Sequence, residues 1–531
     1  MTTFLTVNKH SSLRVLLLSL LLLLPSLASA GEIVVEAGGN IHDALRQARE
    51  WWRTGDARSE GGILITVKAG RYFMDEPLFI RPEDSGTSVE PLIIRGEEGT
   101  VLCGTPCQRH TQLWPQQGME RLLAFDTSRR TMTIATPPRD VLRQLQRTDH
   151  LEMVVHQRWA IAILRVKTLS VRGDSVDFTF MDPESRLEFE HPWPQPVIGG
   201  EKGNSSFLLR TTEQRDGIEQ LMVIDGAKHV SIEGITFEHT SWNRPLHKGH
   251  VTLQGGFPLV DAYKLKDNPG LPWDQGLENQ AWVERPVSAV TVRRAKDIGF
   301  AECTFRHLGA TALDIESIDC GRVYNCTFED IGGTAILAGS FAESPREVHR
   351  PYLDLAGQCR GLAIESNLIT RASQEDWGAV GIGCGYVKQC LISRNTVNHV
   401  NYSGICIGWG WTPLYTNMED NRIVDNCVSD YACQLYDAGG IYTLSCQPRS
   451  VICNNEIGEP AVAPYATNDR AFPIYLDART DGFRIENNRL AVETGSSDSR
   501  SDVGGSYVNM RPIRRDEVGD NHPGPNIIFK Q

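Results

Sequence analysis

The chain has 531 residues, with 53 Lys and Arg against 66 Asp and Glu and a net charge of −13. That length allows one large domain or about three ordinary ones and excludes a small disulfide scaffold. The acidic balance argues against nucleic acid or an anionic membrane surface as the main partner, because both reward a basic face.

The first thirty residues read as an address. Lys9 and Arg14 form a positive start, Val15 to Leu24 is an apolar run too short to span a bilayer comfortably, and Ala28-Ser29-Ala30 fits a small-residue cleavage site. A signal peptide over 1–30 predicts a mature chain 31–531 with charge −13 − 2 = −15, secreted or periplasmic. No later stretch is apolar enough for a transmembrane helix, so stable membrane insertion is not expected. The 13 Cys leave at least one unpaired in a monomer, the expected state. Cys103 and Cys107 are close enough for a local disulfide, or are loop thiols. With no paired CxxC motifs and no HExxH, no metal site is expected.

Residues 31–104 read as a cap and first coils. Asn40 caps a helix with Ile41, Ala44, Leu45, Ala48 and Trp51 on one face, and strands come next at Ile63–Val67 and Pro91–Ile94. Residues 105–225 carry alternating runs such as Leu151–Val155 and Ser175–Thr179 that fit no repeat, expected as a β-rich insertion packed on the early coils.

Residues 226–495 carry an imperfect repeat. Asn367, Asn395, Asn426, Asn455 and Asn488 each open an Asn-x-aliphatic unit, at spacings of 28, 31, 29 and 33 residues. Phe237, Phe305 and Phe328 mark earlier copies. Short β-branched runs between turn residues, repeating every 22–33 residues or so, predict a parallel β-solenoid: each coil buries its inner face only by stacking. The recurring Asn suits a stacked turn whose amides bond one another and the backbone. Residues 496–531 are polar and read as a loose tail.

Aligning the β runs on Leu313, Ile336, Val380, Ile405, Ile441 and Ile474 puts these inside and the following residue outside. The outward set then includes Asp314, Tyr442 and Tyr475, and three residues on stand Glu316, Gly339, Gly383, Gly408, Leu444 and Asp477. Four residues before the aliphatic lie Asp376, Asn401 and Asp437. Trp377, Trp409, Trp411, Tyr436, Tyr442 and Tyr475 cluster around this acidic edge. Aromatic surface beside paired carboxylates suits sugar binding and glycosidic cleavage. Each residue also has a plainer reading: Asp437 as a turn former, Asp477 in a surface pair with Arg479, and Trp409 and Trp411 as core cover. Asp437 and Asp477 pose a geometric problem. On adjacent coils they stand seven strand positions out of register, roughly 23 Å. Gly439-Gly440 would have to turn the chain back, or Asp376 and Asp437, near 10 Å apart by strand spacing, would form the pair instead.

Val154-Val155-His156-Gln157-Arg158-Trp159, Gly404-Ile405-Cys406-Ile407-Gly408-Trp409-Gly410-Trp411, Asp437-Ala438-Gly439-Gly440-Ile441-Tyr442-Thr443-Leu444 and Ile474-Tyr475-Leu476-Asp477 resemble glycoside hydrolase family 141. The resemblance covers roughly residues 35–495. It implies an all-β fold, a right-handed parallel β-helix of the pectin-lyase-like superfamily, and α-L-fucosidase or xylanase activity on plant cell-wall glycans. It also implies an aspartate pair, which falls on Asp437 and Asp477. On the residue pattern itself, Trp409, Trp411, Tyr442, Tyr475, Asp376 and Trp377 are the expected substrate-binding residues, with a polysaccharide or oligosaccharide as partner. The chain departs from the family pattern in a shorter segment before Phe237, in Ala438 where Gly is usual, and in a brief C-terminal end, so sugar specificity transfers poorly. A hydrolase on this plan needs no cofactor. Two other classes stay open on sequence grounds: a polysaccharide lyase using Ca²⁺ on the Asp376 edge, whose required basic residue is missing from the outward sets although Lys388 and Arg394 are near in sequence, and a non-catalytic carbohydrate-binding solenoid.

Overall fold

A computed structural model describes residues 30–104, 110–191, 194–212, 217–262, 281–341, 347–348, 357–410, 416–461, 464–466, 471–477, 480–490 and 528–530. The expected signal peptide, Cys107, Trp411 and Arg479 lie outside those residues. Among the described residues no helix is long and apolar enough to cross a membrane, and 12 cysteines carry free thiols.

Helix α1 (Ile41–Thr54) opens as its sequence dictates. The Asn40 side chain accepts a hydrogen bond from the His42 amide, and Gly55 closes the helix in the left-handed region at φ 64°. Its buried face is Ile41, Ala44, Leu45, Ala48 and Trp51. That face covers the end of the solenoid, beside strands Gly31–Val35 and Ile63–Val67, which pair in parallel.

From there the chain winds through three long parallel sheets. The first runs from Gly31–Val35 to Asp481–Glu486, the second from Gly70–Phe73 to Arg489–Leu490, and the third from Leu78–Ile80 to Ala471–Leu476. The architecture is a parallel β-helix. Alternation decides what faces inward: Ile405 and Ile407 are fully buried while Cys406 between them points the other way. In the second sheet Phe237, Phe305 and Phe328 stand in register, with ring centroids 4.9 and 4.6 Å apart. Beside that column runs the asparagine ladder. Asn395 Nδ2 donates to Asn426 Oδ1 (3.0 Å) and to the Ile364 carbonyl (2.9 Å), and its amide N–H donates to the same Asn426 oxygen (3.0 Å). Asn367, Asn426 and Asn455 repeat the pattern, so each buried amide is satisfied by its neighbours on adjacent rungs.

Three expectations need correction. In the third sheet the column runs Leu313, Ile336, Ile382, Ile405, Ile441, Ile474, so Ile382 rather than Val380 is the member for its rung. Both have the same strand parity, so alternation alone cannot tell them apart. The insertion ends before 225: Met222–Asp225 is already a solenoid strand, paired with Leu78–Ile80 and with Ser288–Arg293. The tail is not all loose, since Ile528–Lys530 pairs in parallel with Arg484–Glu486.

The insertion is an antiparallel sheet built mainly of Leu151–Gln157, Ala160–Arg172, Ser175–Phe180 and Ser206–Thr212. Both of its faces are apolar, and Val154, Ile161, Ile163 and Leu208 of one face share the buried cluster of the solenoid core. Met153, Val155, Leu164 and Phe207 share one buried cluster with Leu337, Trp409, Tyr442 and Tyr475. The outward positions of the solenoid are therefore covered in this stretch.

Candidate active site

Asp437 precedes strand Ala438–Thr443, and Asp477 follows strand Ala471–Leu476 one rung on. The seven-position offset is bridged by tyrosines. Tyr442 and Tyr475 stand side by side in register, edge to face, with ring centroids 5.1 Å apart. Tyr475 reaches back to donate its hydroxyl to Asp437 Oδ1 (2.9 Å), while Tyr442 reaches forward to donate to Asp477 Oδ2 (2.5 Å). The chain turns at Asp437 itself, φ 60°, and not at Gly439-Gly440, which do not adopt the left-handed region. The turn-former reading of Asp437 is thus correct for its backbone, and its carboxylate faces a tyrosine as well.

Gln254 ties the two halves together. Both hydrogens of its Nε2 are used, one on the Tyr402 hydroxyl and one on the Tyr442 hydroxyl, each at 3.2 Å. Tyr402 in turn donates to the Asp437 carbonyl (3.0 Å). Burial first, then the Asp477 carboxylate, pushes the Tyr442 phenol well above its usual value. Burial and then Asp437 do the same for Tyr402. Both phenols are therefore neutral donors at physiological pH.

The insertion sheet fixes the approach to Asp437. Its hairpin turns at Arg158 (φ 44°) and lays its tip on residues 434–436. His156 Nε2 lies 2.8 Å from the Gln434 carbonyl, its ring stacks on Tyr436 at 5.9 Å, and the Tyr436 amide donates to the Arg158 carbonyl (3.3 Å). Burial pushes His156 down to about 4, so the ring is neutral and Nε2 carries the donated proton.

The other candidates divide. Trp409 is 4% exposed and wedged against Phe257 and Phe341, both at 5.0 Å. The pocket it lines with Gln254, Tyr402 and Tyr442 holds about 30 Å³, room for a water but not a sugar ring. Trp409 therefore takes the core-covering role rather than offering a flat face. Trp377 is partly buried against the solenoid core. Asp376 does not join Asp437. Its Oδ2 sits 3.0 Å from His250 Nε2 and its Oδ1 accepts from the Gly378 amide (3.0 Å). The expected stacking of Asp376 over Asn401 fails with the Val380 register. The Asn401 partner is Ser373, whose Oγ accepts from the Asn401 amide N–H at 2.9 Å. Asp376 instead lines a separate cavity of about 310 Å³. Among the described residues no group of three His, Cys, Asp or Glu is placed to hold a metal ion.

Sequence reasoning missed Gln254, Tyr402 and His250. Gln254 and His250 belong to an aperiodic stretch after the insertion, where no repeat marks a position. Tyr402 stood in plain view beside Asn401, one rung before Asp437.

The family described as the GH141 insertion domain matches residues 104–216. A solved structure named as a glycoside hydrolase aligns with 87% of this chain and 94% of its own length, at 32% identity and a TM-score of 0.79. The A-module of the Azotobacter vinelandii mannuronan C-5 epimerase AlgE4 (10% identity, 87% and 86% of the two chains, TM-score 0.30) also aligns. So does a hyperthermoactive exopolygalacturonase from Thermotoga maritima (10%, 87% and 89%, TM-score 0.34). Similarity that low says nothing about activity. No curated protein matches the sequence. Fold and comparison together define a glycosidase built on a parallel β-helix. The chain belongs to glycoside hydrolase family 141.

Proposed function

We propose that this is an exported, monomeric glycosidase that uses Asp437 and Asp477 as its carboxyl pair on plant-type polysaccharides or their side chains, in the manner of an α-L-fucosidase or a xylanase. One observation carries the reading. Two tyrosines on adjacent rungs each hold a different aspartate, and one glutamine links the assembly. Each carboxylate thereby has a tyrosine partner on the adjacent rung. One carboxyl would protonate the leaving glycosidic oxygen while the other activates water or attacks the anomeric carbon, and no metal is required. Tyr442 and Tyr475 orient the pair, and the buried Gln254 holds Tyr442 together with Tyr402, which bonds the Asp437 carbonyl. Against the Ca²⁺-lyase alternative stands the use of both Asp376 oxygens in bonds with His250 and Gly378.

The test is turnover of xylan, pectin and fucosylated glycans by purified 31–531 in the presence of a chelator. The proposal expects activity in the parent protein and its loss in Asp437→Asn and Asp477→Asn. Activity that appears only on adding Ca²⁺, with unsaturated products, would establish a lyase instead. Full activity in both variants would discard the pair.

A further inference from the structure

The cavity of about 310 Å³ beside Asp376 is built where the third sheet begins on three successive rungs. Gly309-Ala310-Thr311 leads into strand Thr311–Glu316, Gly332-Gly333-Thr334 into Ile336–Ala338, and Asp376–Ala379 into Ile382–Cys384. Glycines here let neighbouring turns stack: a Cβ on Gly332 would meet the Gly309 carbonyl at 2.0 Å. The opposite wall comes from the segment after the insertion, Trp242 to Lys248, with Gly256 and Pro258, and from Glu284 and Arg285.

Three residues of this lining carry buried polar atoms with no partner among the described residues: Arg244 Nε, His250 Nδ1 and Thr311 Oγ1. His250 and Thr311 are each 1% exposed. Buried polar atoms are rarely left unpaired in a folded protein, so three around one cavity call for an occupant. The buried charges of the wall are already matched, and Lys248 stands exposed at its edge. Arg244 pairs with Glu284 (2.8 Å), Arg285 with Asp314 (2.6 Å) and His250 with Asp376 (3.0 Å). A free phosphate or a carboxylate would find its one unmatched cation, Lys248, on the exposed edge and not among the buried groups, and no group of three acidic or metal-ligating side chains is placed there among the described residues. The unpaired atoms are a guanidinium donor, a hydroxyl that gives or takes, and an imidazole nitrogen. These atoms are covered, so small side-chain shifts must bring them to the cavity; a neutral hydroxylated ligand then suits all three, because each of its hydroxyls both donates and accepts.

The site sits in line with the aspartates. Asp376 and Asp437 belong to rungs two steps apart, and the cavity reaches two rungs further, so its middle is about 15 Å from Asp437 by strand spacing. The loop between them faces both ways. Gln254 touches Tyr402 and Tyr442, while Gly256, two residues on, borders the cavity at φ 79°, where a Cβ would press on Asp376 Oδ2 at 2.9 Å.

We propose that this cavity is a second glycan subsite, taking an uncharged sugar unit of the same oligosaccharide that the aspartate pair cuts, with Arg244, His250 and Thr311 as its recognition residues. It rests on the reading of the chain as a glycan hydrolase but not on which carboxylates act. Occupancy of the remote subsite favours long substrates over short ones by adding contacts that the reacting centre does not feel.

The experiment uses xylo-oligosaccharides and fucosylated oligosaccharides of graded length, with oligogalacturonides as charged controls. Binding to Asp437→Asn is measured by calorimetry, with Thr311→Val and Arg244→Met added to that background and each variant's melting temperature recorded. The proposal expects a neutral long oligosaccharide to bind Asp437→Asn. It expects binding to weaken about tenfold on Arg244→Met, less on Thr311→Val, with short oligosaccharides unaffected. In active protein the same changes should raise KM for long substrates and leave kcat alone. Equal affinity with and without the two substitutions would leave the cavity to ordered water and overturn the proposal. So would no binding by any neutral oligosaccharide, tighter binding of the oligogalacturonides, or equal losses for short and long ligands. If Asp437→Asn still turns substrate over, the aspartate assignment fails while the length-dependent binding loss still decides the subsite.

Discussion

The solenoid and the sheet inserted into it hold their buried polar groups in opposite ways. In the solenoid, polarity is repeated: Asn367, Asn395, Asn426, Asn455 and Asn488 satisfy one another rung after rung. In the insertion, polarity is singular. Glu188 is wholly buried with Gln157 as its hydrogen-bond partner, and His156 meets one solenoid carbonyl. The first arrangement builds a rigid column. The second costs stability, and it occurs where the sheet docks beside Asp437. Between the two lies the aspartate site, with tyrosines from the repeat and a glutamine from the aperiodic segment. Repetition supplies the scaffold, and an unrepeated glutamine adds a hydrogen bond to Tyr442, which donates to Asp477.

Substitutions at the junction should have the largest effect. Asp477→Asn or Asp437→Asn should lower kcat by about a hundred- to ten-thousandfold with little change in melting temperature, read by steady-state kinetics beside a thermal melt. Next comes the ladder. Asn426→Ala leaves partners on both neighbouring rungs unpaired and should cost about 3 kcal/mol, seen in denaturant unfolding, while an exposed polar change on the same coil costs almost nothing. Gln254→Leu keeps the volume but releases both tyrosines. It should lower kcat about tenfold with KM nearly unchanged, because the groups it orients act in the transition state.

The smallest effect concerns the insertion alone. Burial pushes Glu188 up to about 8 from its usual 4.5. With the folded value raised, its contribution is fully present below pH 4.5 and is lost as pH rises toward 8. Glu188→Gln should therefore melt like the parent at pH 4 and above it by pH 8. His156 and His191 run the other way. Burial pushes both down to about 4, so the stability they contribute is lost as pH falls from 6.5 to 4. Thermal melts of parent and Glu188→Gln across that range separate the two slopes.

Much of the repeat was legible from sequence because stacking imposes one residue type per column. The buried face of helix α1, the Phe column and the mutual bonding of the asparagines came from periodicity and from the need to pair buried amides. The Val380 misalignment arose because Val380 and Ile382 have equal parity, and only pairing with Ile336 and Ile405 separates them. Trp409 was ambiguous for a different reason. Whether an outward aromatic meets solvent depends on what covers it, and Phe257 and Phe341 arrive from stretches without repeat. The same holds for Gln254: nothing in its neighbours announces that its amide will span two hydroxyls 148 and 188 residues away. The 23 Å conflict, roughly seven strand positions, was real for straight strands. Long tyrosine side chains crossing between rungs give each carboxylate a partner on the other strand, a contact that residue counting does not anticipate.

The most direct test of the account is hydrolysis in ¹⁸O-enriched water, with products weighed by mass spectrometry for the parent, Asp437→Asn and Asp477→Asn. The account predicts that each cleavage by the parent places one heavy oxygen in a product and that both variants form almost none. Unlabelled, unsaturated products, or heavy oxygen appearing at the parental rate in either variant, would contradict it.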